Sequence, residues 1–234
     1  MRREILGSIA LAAMALVAQP ALAAPVFLST AYYNPALLLP PPPADGSDVA
    51  RAEMKELHRI AKRRTAAQFA RALVDEKTED VTLFASVMGP GFDLAALPRT
   101  AELFTDVRAE EKFAAHLAKD FFRRNRPWIL DPKLKTCAQD DPPRSSYPSG
   151  HATMGYSMAV VLAALAPEKA QAIMTRAADY AENRLVCSMH YRRDIVAGQA
   201  LGTTVAAEMM MTPGFRKEFE AARDELLAAH LVVE

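Results

Sequence analysis

Apolar residues recur at intervals of three and four along most of the chain, which is the spacing typical of amphipathic α-helices. With Pro, Gly and capping residues as boundaries, this pattern predicts seven helices. Their predicted ranges are 48–74, 82–87, 100–126, 150–165, 168–186, a helix that begins near 190, and 215–231. In the sixth, the small residues Ala197, Gly198, Ala200 and Gly202 allow another helix to cross closely. We therefore expect that helix to lie in the core.

The composition supports a helical fold. Ala, Leu and Met are abundant, and the chain has only nine Gly in 234 residues. A chain of this size can bury one large core. We predict an all-α, single-domain helical bundle over residues 47–234.

The first 46 residues differ in composition from the predicted helical domain. Residues 1–23 read as a secretory signal peptide, with Arg2 and Arg3 before an apolar run and a small-residue cleavage site that ends at Ala23. Residues 24–46 are rich in proline, so we expect an extended arm over the domain. Because no run reaches the roughly 20 apolar residues of a membrane span, we expect no stable membrane insertion after cleavage. These features predict a periplasmic protein.

Charge and cysteine content bear on three possible features: nucleic-acid binding, a disulfide and a zinc site. The formal net charge is zero, so the chain lacks the basic excess typical of a nucleic-acid binder. Two cysteines in an exported chain are most simply a disulfide between Cys137 and Cys187, although two buried thiols remain an alternative. Two cysteines alone do not match the paired spacing of a zinc site.

The strongest candidate for a functional site is the stretch from Ser146 to His151. Pro148 stiffens the approach, Ser149 can cap the following helix, and Gly150 lets the backbone come close to a ligand. The free N–H groups at a helix start favour an oxyanion, and His151 adds a proton donor or acceptor. A capped helix start without function is the competing interpretation.

Two flanking blocks supply further charged groups. Lys119 and Arg126 are seven residues apart, which is two helical turns, so we expect both on one helix face and able to grip one anion. Downstream lie Arg184, His190 and Asp194, and Asp194 can accept from one nitrogen of His190 and leave the other free as a nucleophile.

Other charged residues near these blocks receive a structural interpretation. We expect Arg123 and Arg124 to belong to a solvated helix end. His58, His116 and His230 have no partner motif, so we expect them to be surface or structural histidines.

The ordered pattern Lys-x6-Arg-Pro, Pro-Ser-Gly-His and Arg-x5-His-x3-Asp resembles the signature of the phosphatidic-acid-phosphatase type 2 (PAP2) superfamily, which also contains the vanadate-dependent haloperoxidases. It is most similar to the bacterial class A non-specific acid phosphatases. The turn at residues 88–91 and the two cysteines also look like class A features. Asn183 stands where the third block usually has Ser, and we expect it to tune the site rather than remove it.

The resemblance implies a metal-independent acid phosphatase of broad specificity that needs no cofactor. In this interpretation Lys119, Arg126 and Arg184, with Ser149 and Gly150, bind the phosphoryl group of a small phosphate monoester. His190, oriented by Asp194, forms a phosphohistidine, and His151 protonates the leaving alcohol and later activates water. Because His151 must begin protonated, we expect an acidic optimum.

Three alternatives remain open. A vanadate-dependent haloperoxidase would use His190 as the ligand of the metal oxyanion, but such enzymes tend to be longer. A lipid-phosphate phosphatase of the integral-membrane type needs spanning helices that this sequence lacks. A non-catalytic oxyanion-binding protein has no need for two histidines and Asp194. The resemblance also implies inhibition by vanadate and self-association into a homo-oligomer.

Overall fold

Residues 25–233 are described by a computed structural model, and their regular structure consists of helices alone. The seven long helices are α1 (Asp48–Arg63), α2 (Ala66–Lys77), α3 (Pro98–Phe122), α4 (Gly150–Leu165), α5 (Ala170–Val186), α6 (Arg192–Met211) and α7 (Pro213–Ala228). Short helical segments lie at Thr30–Tyr32, Pro35–Leu38, Val81–Phe84, Ala85–Met88, Pro127–Leu130 and Pro167–Lys169. The prediction of an all-α fold is confirmed. The predicted signal peptide lies outside the described residues.

Helix α4 is the centre of the bundle. It is apolar on nearly every side, which is the pattern of a buried helix, and α3, α5 and α6 pack around it. The main hydrophobic core is continuous from Tyr33 to Val232, which confirms a single domain. The N-terminus of α4 is therefore held on several sides before any ligand binds.

Helix α6 crosses α4 at very short range, as its small residues predict. A Cβ on Gly198 would lie 2.6 Å from the Ser149 carbonyl oxygen, and one on Gly202 would lie 2.2 Å from that of Thr153. Only glycine fits at these two positions. This crossing fixes the start of α4 against the start of α6.

The predicted helix over residues 48–74 is wrong in one respect, because two helices form there. Helix α1 ends at Arg63, and Thr65 begins α2 with a capping box in which Thr65 and Gln68 each accept from the other's backbone N–H. The change of direction brings the end of α2, with Asp75 and Glu76, to α5. These two residues matter at the site below.

Helix α3 does not start at residue 100 as predicted, and no side chain at its own N-terminus caps it. The helix begins at Pro98, and the carboxylate of Glu225 in α7 accepts from the backbone N–H groups of Arg99 and Thr100 at 2.9 and 2.8 Å. The first free amides of α3 are thus satisfied by another helix, which local sequence cannot indicate.

The proline-rich arm lies on the domain, but it includes two short helical turns and is not extended throughout. Glu110 of α3 accepts hydrogen bonds from the Tyr33 hydroxyl and from the backbone of Phe27. Tyr147, just before the candidate site, donates to the carbonyl of Pro40 at 2.6 Å. The arm is thereby tied to the body at both ends.

Within residues 25–233, no helix is long and apolar enough to cross a membrane.

Candidate active site

The stretch around Ser149 forms the start of α4, as predicted. The Ser149 hydroxyl accepts from the backbone N–H of Ala152 at 3.3 Å, and the Ser149 N–H donates to the carbonyl of Asp194 at 3.0 Å. A Cβ on Gly150 would lie 3.2 Å from Nζ of Lys119. The missing side chain therefore leaves room for the ammonium group directly at the helix N-terminus.

Five of the predicted site residues line one cavity of about 130 Å³. They are Lys119, Arg126, Gly150, His151 and His190. Ser149, Arg184 and Asp194 are buried and are not part of the cavity lining. The three sequence blocks, up to 75 residues apart, are therefore brought to one place, which is the arrangement their order predicts.

Lys119 and Arg126 reach the cavity differently from the prediction that both lie on one helix face. Helix α3 ends at Phe122, and Arg123 adopts a left-handed conformation with φ of 51°. Arg126 follows in extended backbone, before the short helix that begins at Pro127. Both cations still face the cavity, because the chain turns back toward α4 between them.

The positive charges of the site are close enough to lower one another's pKa. Burial, and then the charge of Arg126, lowers the pKa of Lys119 to about 8. Burial also lowers the pKa of Arg126 to about 10, and the charge of Arg184 acts in the same direction. An anion in the cavity would relieve this repulsion, so the site is electrostatically suited to an oxyanion.

The hydrogen bonds of His190 define its tautomer. Its Nδ1 lies 2.7 Å from the carbonyl oxygen of Ser146, and its Nε2 lies 2.9 Å from Nη1 of Arg126. Because the carbonyl can only accept and the guanidinium can only donate, Nδ1 carries the hydrogen and Nε2 carries the lone pair. Nε2 is thus the nitrogen with a lone pair, and this lone pair accepts from Arg126 in the free protein. Burial, followed by the charges of Arg126 and Arg184, lowers the pKa of His190 well below 6.5.

Asp194 is near His190, but it does not accept from the imidazole as predicted. Its carboxylate lies 3.6 Å from Nδ1, beyond hydrogen-bond distance. It accepts instead from the Ser146 hydroxyl at 2.6 Å and from the Tyr191 N–H at 2.9 Å. Asp194 therefore orients the imidazole indirectly, by holding the Ser146 segment whose carbonyl binds Nδ1.

The expectation that Arg124 is solvated is wrong. Arg124 is buried and bridges two carboxylates, with 2.6 Å to Asp194 and 2.6 Å to Glu53 of α1. Its carbonyl also accepts from the Ser146 N–H at 3.1 Å. Its neighbour Arg123 is exposed, as expected. Burial raises the pKa of Asp194 to about 6, and the charge of Arg124 opposes that rise.

His151 lies at the cavity with its ring stacked on Tyr180, at 5.6 Å between centroids. Its Nε2 is 3.1 Å from the carbonyl oxygen of Glu76 at the end of α2. Burial, and next the charge of Arg184, lowers the pKa of His151 well below 6.5 in the free protein. It is therefore neutral at neutral pH until acid or a bound anion favours its protonated form.

Several carboxylates pair with the cations of the site and were missed in the sequence. Glu76 pairs with Arg184, Asp141 lies 3.0 Å from Arg126, and Glu111 pairs with Arg108 on the cavity wall. Burial raises the pKa of Glu111 to about 7. Arg108 and Glu111 share a face of α3 with Lys119, so helical spacing could have indicated them. Nothing local could have indicated Asp141 or Glu76.

The remaining histidines have different surroundings. His58 lies 2.9 Å from a carboxylate oxygen of Asp131, and His230 follows the end of α7 with φ of 55°. His116 lines the cavity, although no motif surrounds it in the sequence.

The disulfide between Cys137 and Cys187 is confirmed, with a Cα–Cα distance of 5.0 Å. It ties the loop before the site to the segment that carries His190. Among the described residues, Glu76 and these two cysteines form one group with the spacing of metal ligands. Both sulfurs are bonded to each other, so this group offers no thiolate.

Comparison with known proteins agrees with the motif pattern. A model of the PAP2 superfamily matches residues 109–218, which contain all three blocks. A Zymomonas mobilis acid phosphatase is 30% identical over 200 residues, which cover 82% of this chain and 75% of that protein. A Salmonella typhimurium non-specific acid phosphatase is 27% identical over 201 residues, covering 82% of this chain and 80% of that protein.

A third relative, a non-specific acid phosphatase of Providencia stuartii, is 28% identical over 196 residues, or 80% of this chain and 79% of that protein. These matches extend well beyond the three motifs and over most of the helical domain. The chain therefore belongs to the PAP2 superfamily, among relatives that are bacterial acid phosphatases.

Proposed function

We propose that this protein is an acid phosphatase that hydrolyses phosphate monoesters of broad specificity through a phosphohistidine, without a metal ion. The observation that carries the proposal is the convergence of Lys119, Arg126 and His190 with the N-terminus of α4 on one cavity. Phosphoryl transfer needs charge stabilisation on the oxygens of phosphorus, an in-line nucleophile and a proton for the leaving group. The relatives named acid phosphatase support the same activity.

In the first half-reaction, Nε2 of His190 gives up its hydrogen bond from Arg126, and its lone pair attacks phosphorus. The bond from phosphorus to the ester oxygen breaks, and His151 gives its proton to the leaving oxygen. Lys119, Arg126 and Arg184 balance the charge on the three other oxygens, aided by donors at Ser149 and Gly150. The hydrogen bond from Nδ1 to the Ser146 carbonyl supports this assignment, because it helps to stabilise the positive charge that develops on the ring.

In the second half-reaction, the now neutral His151 takes a proton from water. The water oxygen attacks phosphorus, the phosphorus–nitrogen bond breaks, and inorganic phosphate leaves, with His190 again neutral and His151 again protonated. Since His151 must begin protonated and its pKa is lowered in the free protein, we propose that turnover increases in acid. A bound phosphate dianion favours the protonated form and partly offsets this effect.

The test is the release of p-nitrophenol from its phosphate ester across pH, with a chelator present. We expect chelator-resistant turnover that increases in acid and is inhibited by vanadate. His190→Ala should abolish turnover, whereas His151→Ala should slow alkyl phosphates by about 10²–10⁴-fold and p-nitrophenyl phosphate less, because p-nitrophenol is the better leaving group. Equal residual activity of both variants on all esters would contradict the assigned roles.

If folded protein binds vanadate but turns over no ester, the haloperoxidase alternative is tested next with halide and peroxide.

We also propose export to the periplasm with cleavage after about Ala23, and self-association of the mature chain. Sequencing of the N-terminus of secreted protein and light scattering in solution test these two points.

A further inference from the structure

Arg126 is already surrounded by hydrogen-bond and ion-pair partners in the free protein. Nε and Nη2 donate to the Ser145 hydroxyl at 3.2 and 3.1 Å. Nη1 contacts the Met189 carbonyl at 3.1 Å and Nε2 of His190 at 2.9 Å, and Nη2 lies 3.0 Å from Asp141. Four of the five N–H groups of the guanidinium take part in these hydrogen bonds, and the Asp141 carboxylate forms an ion pair beside them. A phosphate oxygen that binds Arg126 from the cavity must therefore compete with the negative charge of Asp141.

Asp141 is the partner that can be replaced at least cost. Its side chain is 35% exposed, whereas Ser145 is 8% exposed and His190 is 1% exposed. It lies in the long segment between the short helix ending at Leu130 and α4, and it lines both the cavity and a neighbouring groove. A carboxylate can leave this position for water without disturbing the core.

Arg184 also has a carboxylate partner, but the two pairs are not equivalent. The Glu76 side chain is only 14% exposed, and Glu76 lies in α2, whose end is held to α5 by Asp75 through Arg176 and Asn183. Movement of Glu76 would therefore disturb a packed helix. Movement of Asp141 requires a change in one loop side chain.

We infer that Asp141 determines the affinity of the site for phosphate, because its carboxylate holds the position on Arg126 that a phosphoryl oxygen takes. The inference rests on the proposed function. A cavity with several cations binds product phosphate as well as substrate, and tight product binding slows release. An internal carboxylate that returns to Arg126 opposes the product at each turnover, so it weakens binding and favours release.

The experiment compares the wild type with Asp141→Asn and Asp141→Ser, and uses Asp140→Asn as the matched control. Asp140 is exposed, adjacent in sequence and absent from the cavity wall. Inorganic phosphate is the probe, both as a competitive inhibitor and in direct calorimetric titration. Loss of one partly exposed ion pair should tighten phosphate binding about fivefold in both Asp141 variants. The control should match the wild type.

A merely structural role for Asp141 would loosen phosphate binding, because Arg126 would lose its support. Looser or unchanged binding in both Asp141 variants, with the wild type active, would overturn the inference and leave the proposed function intact. A folded wild type that neither binds phosphate nor hydrolyses esters would instead refute the proposed function, and this inference with it.

Discussion

The buried pair of carboxylates around Arg124 allows a quantitative test. In Arg124→Gln, Glu53 and Asp194 lose their shared counterion while they remain 6% and 0% exposed. Removal of one partner from a buried ion pair costs about 3–5 kcal/mol, because an uncompensated charge stays in the core. For a domain of this size, that loss corresponds to a decrease in Tm of about 6–20 °C.

The cost should also depend on pH. The pKa of Asp194 is raised to about 6 in the folded protein, above the unfolded value of about 3.9, so its contribution to stability is lost as pH rises through this interval. Without Arg124 its pKa should rise further. At pH 5 Asp194 can therefore take a proton and remove one of the two uncompensated charges, and it does so less readily at pH 8. The variant should be less destabilised at pH 5 than at pH 8.

The assay is urea unfolding at both pH values, monitored by circular dichroism, with Arg123→Gln as the matched control. Arg123 is the neighbouring residue but exposed, so its substitution should stay within about 0.5 kcal/mol of the wild type. A loss below 1 kcal/mol for Arg124→Gln, or equal losses at both pH values, would refute the account of this network.

Three further predictions concern packing, the disulfide and pH. Gly202→Ala should lower the free energy of unfolding by about 1–3 kcal/mol, because its Cβ would meet the Thr153 carbonyl, whereas Gly214→Ala should be nearly neutral in the same urea assay. Reduction of the Cys137–Cys187 bond should lower the free energy of unfolding by about 2–5 kcal/mol, which thermal unfolding with and without reductant measures; equal curves would contradict this. The profile of kcat/KM should rise as pH falls below 6.5, because the pKa of His151 is lowered; a plateau that continues above pH 8 would contradict the role of His151 as acid.

The position of the central turn could be predicted because it depends on local chemistry. Ser149 caps the helix, and Gly150 leaves space beside it, whatever surrounds them. The close crossing at Gly198 and Gly202 followed from the size of the residues alone. The disulfide followed from the number of cysteines and the signal sequence.

The support of the site could not be predicted, because it comes from distant segments. Spacing does not distinguish Arg124 from Arg123; Arg124 is buried since the chain turns at Arg123 and Glu53 lies opposite, 71 residues upstream. For the same reason the sequence predicts Asp194, one helical turn away, as the acceptor for one nitrogen of His190, whereas the structure has the Ser146 carbonyl at Nδ1. Asp141 gave no signal, because a loop carboxylate finds its cation only in the folded chain.

The central claim is tested most directly by trapping the covalent intermediate. Mature protein is mixed with an excess of p-nitrophenyl phosphate, quenched in alkali, where phosphohistidine is stable, digested, and mapped by mass spectrometry. The account predicts phosphate on the peptide that contains His190, and none on that peptide in His190→Ala. Turnover without phosphate on any histidine, or phosphate on His151 with activity retained in His190→Ala, would contradict it.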